Sequence, residues 1–163
     1  MLTYLTRTVP AVLRAQLGRD GRTVSRLERR VSLRQVDVNL HMNQAAYAEV
    51  FELGRLDLLI RSKAWSRWRG LGLKPVVAEQ HIVYRRELRP LARFDVDTRA
   101  VAVEGRLLRF EGHLLVGDRV HARGEAKLIF VGPDGVLPAA EVEAACAGLL
   151  GEPLSVRDWV AIR

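Results

Sequence analysis

Cysteine is almost missing from this chain: Cys146 is the one thiol among 163 residues. A disulfide framework and a cysteine-built zinc site are therefore excluded. A free thiol fits a reducing, cytoplasmic setting, which is the expected location. No stretch approaches the ~20 consecutive apolar residues of a membrane span. The opening MLTYLTRTVPAVLRAQLG holds no uninterrupted apolar core of signal-peptide length, because Arg7 and Arg14 break it. Internal repeats and low-complexity tracts are missing too. His81, His113 and His121 stand on separate predicted strands without metal-ligand spacing, which predicts surface or hydrogen-bonded positions. Gly70-Leu-Gly72 lacks the pattern of a phosphate-cradling loop. Nothing here asks for a metal or a cofactor.

Acidic residues are also short, 19 against 26 Lys and Arg, for a net charge of +7. The excess is local. Residues 1–34 carry eight arginines against Asp20 and Glu28, a net +6, which leaves the remainder near neutral at +1. A basic arm of this kind can meet nucleic acid, an anionic membrane surface or a phosphate-bearing substrate. It has no run of five like charges and no aromatic interleaving beyond Tyr4, which argues against a nucleic-acid module. A short helix after Pro10, with Val12, Leu13 and Leu17 on one side, is read as packing on its own domain rather than on a membrane. Membrane or nucleic-acid binding by residues 1–22 predicts salt-sensitive binding that vanishes when they are removed.

What is present is globular. Hydrophobic residues make up 48% and charged residues 28%, close to the average for folded domains and unlike a disordered chain. The length suits one domain with a core of its own. It divides into a basic arm (1–22), a body, and a C-terminal helix and tail (138–163).

Periodicity orders the body. Residues 23–36 alternate imperfectly, as a strand does. From Gln44 to Arg61 the apolar residues follow a helical period with a face too wide for a surface helix, which predicts a helix enclosed by other structure. Asn43 stands at its N-cap position. Residues 65–73 read as a linker. Four strand-like stretches follow at 75–88, 94–103, 107–116 and 120–130. They are broken at Arg89-Pro90, Glu104-Gly105 and Gly117-Asp118, and the last two are tight hairpin signals. Ala139–Leu150 reads as a terminal helix. A long antiparallel meander needs a partner for its apolar face, and only the 44–61 helix can supply one. The fold class is α+β, an antiparallel sheet wrapped around one long helix.

The densest polar cluster lies at the strand-to-helix junction: Asp37, Asn39, His41 and Asn43, then Tyr47. In an extended stretch alternate residues share one face. The amides that follow are unpaired and carry the positive end of the helix dipole. Such donors suit a developing oxyanion, and a carboxylate beside them can act as base or nucleophile. Asp and Asn also populate turns and caps for purely local hydrogen-bonding reasons. Taken alone, the cluster fits either use.

The string D37-V-N-L-H-M-N43-Q-A-A-Y47 resembles the D-x-N-x-H-x-N-N-x-x-Y signature of hot-dog-fold thioesterases. It is similar to plant acyl-ACP thioesterases and, more loosely, to the 4-hydroxybenzoyl-CoA thioesterase group. The match runs through Glu52 and Arg55 and covers roughly residues 25–132. The resemblance implies a hot-dog fold, an acyl-CoA or acyl-ACP substrate, and dimers or tetramers with the site between subunits. It places Asp37 as the catalytic carboxylate, with Asn39 and His41 as the catalytic amide and imidazole. Asn43, Gln44 and Tyr47 would lie against the substrate at the helix start. Three positions depart from the pattern: Gln35 replaces an earlier Asp of some members, Leu40 replaces Gly, and Gln44 replaces the second Asn.

The runner-up function is a catalytically silent hot-dog module that binds an acyl chain or a partner protein. Arg85, Arg86, Arg89 and Arg93 could bind coenzyme A phosphates or form a solvated edge that discourages sheet pairing. Glu49 and Glu52 are expected to pair with Arg55 along the helix. Trp65 and Trp68 could line an acyl groove or belong to the core. Cys146 reads as a small buried apolar residue.

Overall fold

The computed structural model describes residues 22–154. The helix expected after Pro10 and the last part of the tail lie outside the described residues. Strand β1 (Val24–Arg30) is followed by a short 3-10 turn at Leu33–Gln35. Helix α1 (Gln44–Arg61) and helix α2 (Ala64–Gly70) come next. Then come β2 (Lys74–Tyr84), β3 (Arg93–Glu104), β4 (Leu107–Val116), β5 (Arg119–Gly132), β6 (Gly135–Val136) and helix α3 (Ala139–Ala145). One antiparallel sheet runs β1-β3-β4-β5-β2, with β6 against β5. It wraps α1, and the fold is the hot-dog arrangement.

The strands follow from their alternation. Phe94, Val96, Thr98 and Ala100 of β3 are buried, as are Leu108, Phe110 and Leu114 of β4 and Ala122, Ala126, Leu128 and Phe130 of β5. Small residues set the helix-to-sheet distance. Gly112 and Gly124 are direct cross-strand partners, and the Phe51 ring lies on both; a Cβ on either glycine would come within 2.8 Å of the ring. Gly54 sits where a Cβ would run into the Thr98 hydroxyl. Beyond Gly54 the core widens and takes in Leu58, Leu59, Trp68, Phe130, Val142 and Leu149.

Several boundaries differ from expectation. The 23–36 strand stops at Arg30, because Ser32 and Gln35 close a capping box around the 3-10 turn. The 65–73 linker is mostly helix α2. Its start carries no side-chain cap and its N-cap, Lys63, has φ 63°, so no start signal marks it. Trp68 is fully buried in that helix, edge-on to Phe130 at 4.7 Å, with its indole N–H donating to the Ala145 carbonyl at 2.9 Å. It is core rather than groove, and Trp65 packs on the same cluster. The 75–88 strand ends at Tyr84, because the amides of Arg85 and Arg86 both turn onto the His121 carbonyl. The meander is also broken. β2 pairs with β5 at the far edge, and residues 85–92 cross beneath the site to reach β3. The terminal helix stops at Ala145, and Gly148 takes φ 73° to turn the chain.

The outer face of the sheet was expected to be wet, and part of it is not. Residues 151–154 return across it. The Gly151 amide donates to Ala100, Arg99 donates to Glu152, and the Leu154 amide donates to Glu111. Beneath them Arg109 binds Glu104, Glu111 and Glu125, and Arg123 binds Glu111. His113 is 3% exposed, and its Nε2 has no hydrogen-bond partner among the described residues. Burial, helped by the Arg123 and Arg99 charges and opposed by Glu111, pushes the His113 imidazole down to about 4.

This shift has a thermodynamic consequence. Between pH ~6.5 and ~4 the unfolded chain, with an ordinary histidine, binds the proton that the folded protein refuses. Stability therefore falls as pH drops through that window, by up to about 3 kcal/mol from this residue. His113→Gln should flatten the difference; urea unfolding of both proteins from pH 7 to pH 4 measures it. Parallel pH profiles would mean that His113 does not carry the effect.

Candidate active site

The site residues are gathered by a turn rather than by an extended strand. Val36 bridges Met42, the Asp37 amide donates to the His41 carbonyl, and the Leu40 amide donates back to Asp37. The chain doubles on itself, and this brings the side chains of Asp37 and His41 together on one side, His41 Nδ1 lying 3.6 Å from Asp37 Oδ2. The Asp37 carboxylate also accepts from the Asn39 amide at 2.9 Å, an Asx turn that fixes its direction. Leu40 is in the left-handed region at φ 59°. That is the place where the resembling pattern has Gly, and a side chain there costs of order 1–2 kcal/mol.

Helix α1 starts directly behind this turn. Asn43 caps it, its Oδ1 accepting from the Ala46 amide at 2.9 Å. Among the described residues the amides of Gln44 and Ala45 donate to no protein acceptor, so they are the free positive end of the helix. Two backbone bonds dock the helix start: Met42 onto the Leu88 carbonyl and Asn43 onto the Gln35 carbonyl. Loop 85–88 thus forms the opposite wall. His121 holds that loop through Nδ1, 3.0 Å from the Glu87 carbonyl.

A cavity of about 480 Å³ results. Asp37, Asn39, His41, Gln44, Tyr47, Arg85 and Arg86 all line it. Of the eight expected site residues only Asn43 is absent from the lining; its side chain is spent on the cap. Met42, Tyr84 and Glu87 line it as well, and sequence reading did not single them out. Tyr84 carried a faint signal as the last inward position of its strand. Glu87 carried none, since its place depends on the loop crossing beneath α1. Tyr47 is buried and meets Tyr84 edge-on at 5.0 Å. Burial pushes its hydroxyl above the ordinary tyrosine range, against a hydrogen bond from the Leu88 backbone.

Other candidates fall away from the site. Arg89 pairs with Glu87. Cys146 is buried, and that burial pushes its thiol up to about 12, which makes it a poor nucleophile. Arg55 does not form the expected intrahelical ion pair. Glu52 acts on it only at longer range.

The arrangement sets a carboxylate beside an imidazole in one cavity, at the start of a helix whose first two amides are free among the described residues. Known proteins share the fold. The fold matches YbaW, a probable thioesterase from Escherichia coli, with TM-score 0.72 and 18% identity over 78% of this chain and 99% of that one. It matches the DHNA-CoA thioesterase of Staphylococcus aureus with TM-score 0.62 and 17% identity over 72% and 82%. It also matches the hypothetical protein SAV2348 of Staphylococcus aureus, solved in complex with CoA, with TM-score 0.64 and 18% identity over 82% and 88%. Residues 31–150, which contain the whole cavity lining, match the family model of the thioesterase-like superfamily. With that match over most of its length, the chain belongs to the thioesterase-like superfamily.

Proposed function

We propose that this protein hydrolyses an acyl thioester, an acyl-CoA or acyl-ACP, to free acid and thiol. The observation that carries this reading is the Asp37 carboxylate beside His41, in a cavity lined by Gln44 at the start of α1, where the first two amides are free among the described residues. The thioester carbonyl oxygen sits on the Gln44 and Ala45 amides. Asp37 takes a proton from water, whose oxygen attacks the carbonyl carbon. The resulting oxyanion is held by the same amides. The C–S bond then breaks, and the proton taken up by Asp37 passes through His41, 3.6 Å away, to the departing thiolate. Asn39 orients the water. A thiolate leaves readily at neutral pH, so a base of modest strength suffices.

Coenzyme A is the favoured carrier, since structures that share the fold include a CoA thioesterase and a CoA complex. Arg85 and Arg86 on the cavity rim suit its phosphates. Changing both to Ala should raise KM for an acyl-CoA about tenfold or more while kcat changes little. An unchanged KM would return these arginines to the role of a solvated edge. We also place the protein in a homo-oligomer, dimer or tetramer. β2 is an edge strand whose Val76 and Val77 are 46% and 45% exposed, and an exposed apolar edge is a pairing surface.

Thiol release from a panel of acyl-CoAs, short, long and aryl, tests the reading. Hydrolysis of one class above the others supports it. No hydrolysis of any acyl-CoA or acyl-ACP by folded protein leaves the silent binding module, a reading that the left-handed Leu40 within the motif would favour.

A further inference from the structure

His121 takes no part in the proposed hydrolysis, yet it touches three consecutive residues of the cavity wall. Its backbone carbonyl accepts from the amides of Arg85 at 2.9 Å and Arg86 at 3.0 Å. Its ring Nδ1 lies 3.0 Å from the Glu87 carbonyl. A carbonyl only accepts, so Nδ1 carries the proton and donates. Burial lowers the His121 pKa, backbone hydrogen bonding to Glu87 and Arg86 opposes this, and the charges of Arg86 and Arg119 add to the lowering. The ring is therefore neutral at about pH 7, and its single N–H is committed to the loop.

Arg85 and Arg86 both stand against one residue of β5. Two residues opposing one is the arrangement of a β-bulge, which re-aims side chains. The lining of the cavity records that re-aiming. Successive residues of a regular strand point to opposite faces. Arg85, Arg86 and Glu87 are consecutive, and all three line the active-site cavity.

Tyr84 with Ala122 is the last pair of the β2–β5 ladder, so the backbone beyond it is held by other bonds. Arg86 Nη1 donates to the Val120 carbonyl at 3.3 Å. At the far end the Met42 amide donates to the Leu88 carbonyl at 2.8 Å. Between them stand the carbonyl and the ring of His121. The ring bond is the one among these that comes from a side chain outside the loop, and it falls in the middle of the irregular run.

We propose that His121 is a positioning residue for substrate binding: its Nδ1–H bond to the Glu87 carbonyl keeps Arg85 and Arg86 turned toward the cavity, where they take the phosphates of coenzyme A. This deepens the thioesterase reading and rests on it. A guanidinium grips a phosphate through two parallel N–H groups, so the grip depends on how the loop backbone is held. The turn that carries Asp37 and His41 is closed by its own backbone bonds, so the chemical step does not need the His121 ring.

The test compares an acyl-CoA with the same acyl group on N-acetylcysteamine, a thiol without phosphate, in wild type, His121→Ala and His121→Asn. His121→Ala should raise KM for the acyl-CoA about fivefold or more, the worth of one hydrogen bond, with kcat little changed. It should leave kcat/KM for the N-acetylcysteamine thioester within about twofold of wild type. His121→Asn should keep most of the acyl-CoA affinity, because its amide nitrogen can donate to the same carbonyl. An unchanged acyl-CoA KM in His121→Ala overturns the proposal. So does an equal loss on both thioesters, which would mean general damage to the fold, and so does a His121→Asn that behaves like His121→Ala. If either thioester is not hydrolysed by wild type, calorimetry with CoA alone decides, and absence of any hydrolysis counts against the thioesterase reading separately. CoA binding that weakens about fivefold in His121→Ala and is kept in His121→Asn sustains the proposal. Equal binding by all three proteins, or none by wild type, overturns it.

Discussion

Asp37→Ala should leave a folded protein whose thioester turnover is lower by roughly 10²- to 10⁴-fold, the range that a positioned general base supplies. The fold should tolerate the change. The Asp37 side chain is 29% exposed, and its contacts are the Asn39 amide and the His41 ring. Losing the Asx turn costs about 1 kcal/mol at most, a small part of the 5–15 kcal/mol that holds a typical domain. Asp37→Asn separates the two roles of the side chain. An Asn Oδ1 still accepts from the Asn39 amide and keeps the turn, but it cannot take the proton from water. Both variants should therefore fall together in kcat, and Asp37→Asn should melt closer to wild type. If either loses less than about tenfold, roughly 1.4 kcal/mol of barrier, Asp37 is not the base.

The largest loss of stability is expected from Phe51→Ala, about 3–5 kcal/mol by chemical denaturation. Phe51 is 2% exposed, and its ring rests on two glycines paired across β4 and β5. Gly112 and Gly124 themselves have no side chains to collapse into the space, so a cavity remains. The reverse change probes the same contact. Gly124→Val pushes into a ring already at 2.8 Å from the Cβ position and should cost about 1–3 kcal/mol. In a Phe51→Ala background that cost should shrink or change sign, because the added side chain fills the cavity. Strictly additive effects in the double mutant would show that ring and glycines are not coupled.

The readings that held share a physical property. Helix α1 was legible to the residue, 44–61, because its cap is local: Asn43 needs only the Ala46 amide three positions on. The strands at 94–103, 107–116 and 120–130 were legible because one face of each is buried, and alternation records that burial. The gathering of Asp37, Asn39, His41 and Tyr47 was legible because all lie within eleven residues of one motif. Its geometry was not. The extended stretch is a turn, since the bond from the Asp37 amide to the His41 carbonyl and the left-handed Leu40 are backbone choices that side-chain types do not announce.

What the sequence determined by itself is one long enclosed helix, a set of half-buried antiparallel strands, and a carboxylate–amide–imidazole string at the helix start. Each of these is encoded in neighbours a few residues apart. The tertiary structure alone decided that β2 leaves the meander for the far edge beside β5, which sets Tyr84, Arg85 and Arg86 against the motif. It decided that Trp68 is core and that His113 and Arg55 are buried. Those outcomes depend on which distant surfaces meet, and a period of two or of 3.6 residues says which face of an element is buried but not what buries it.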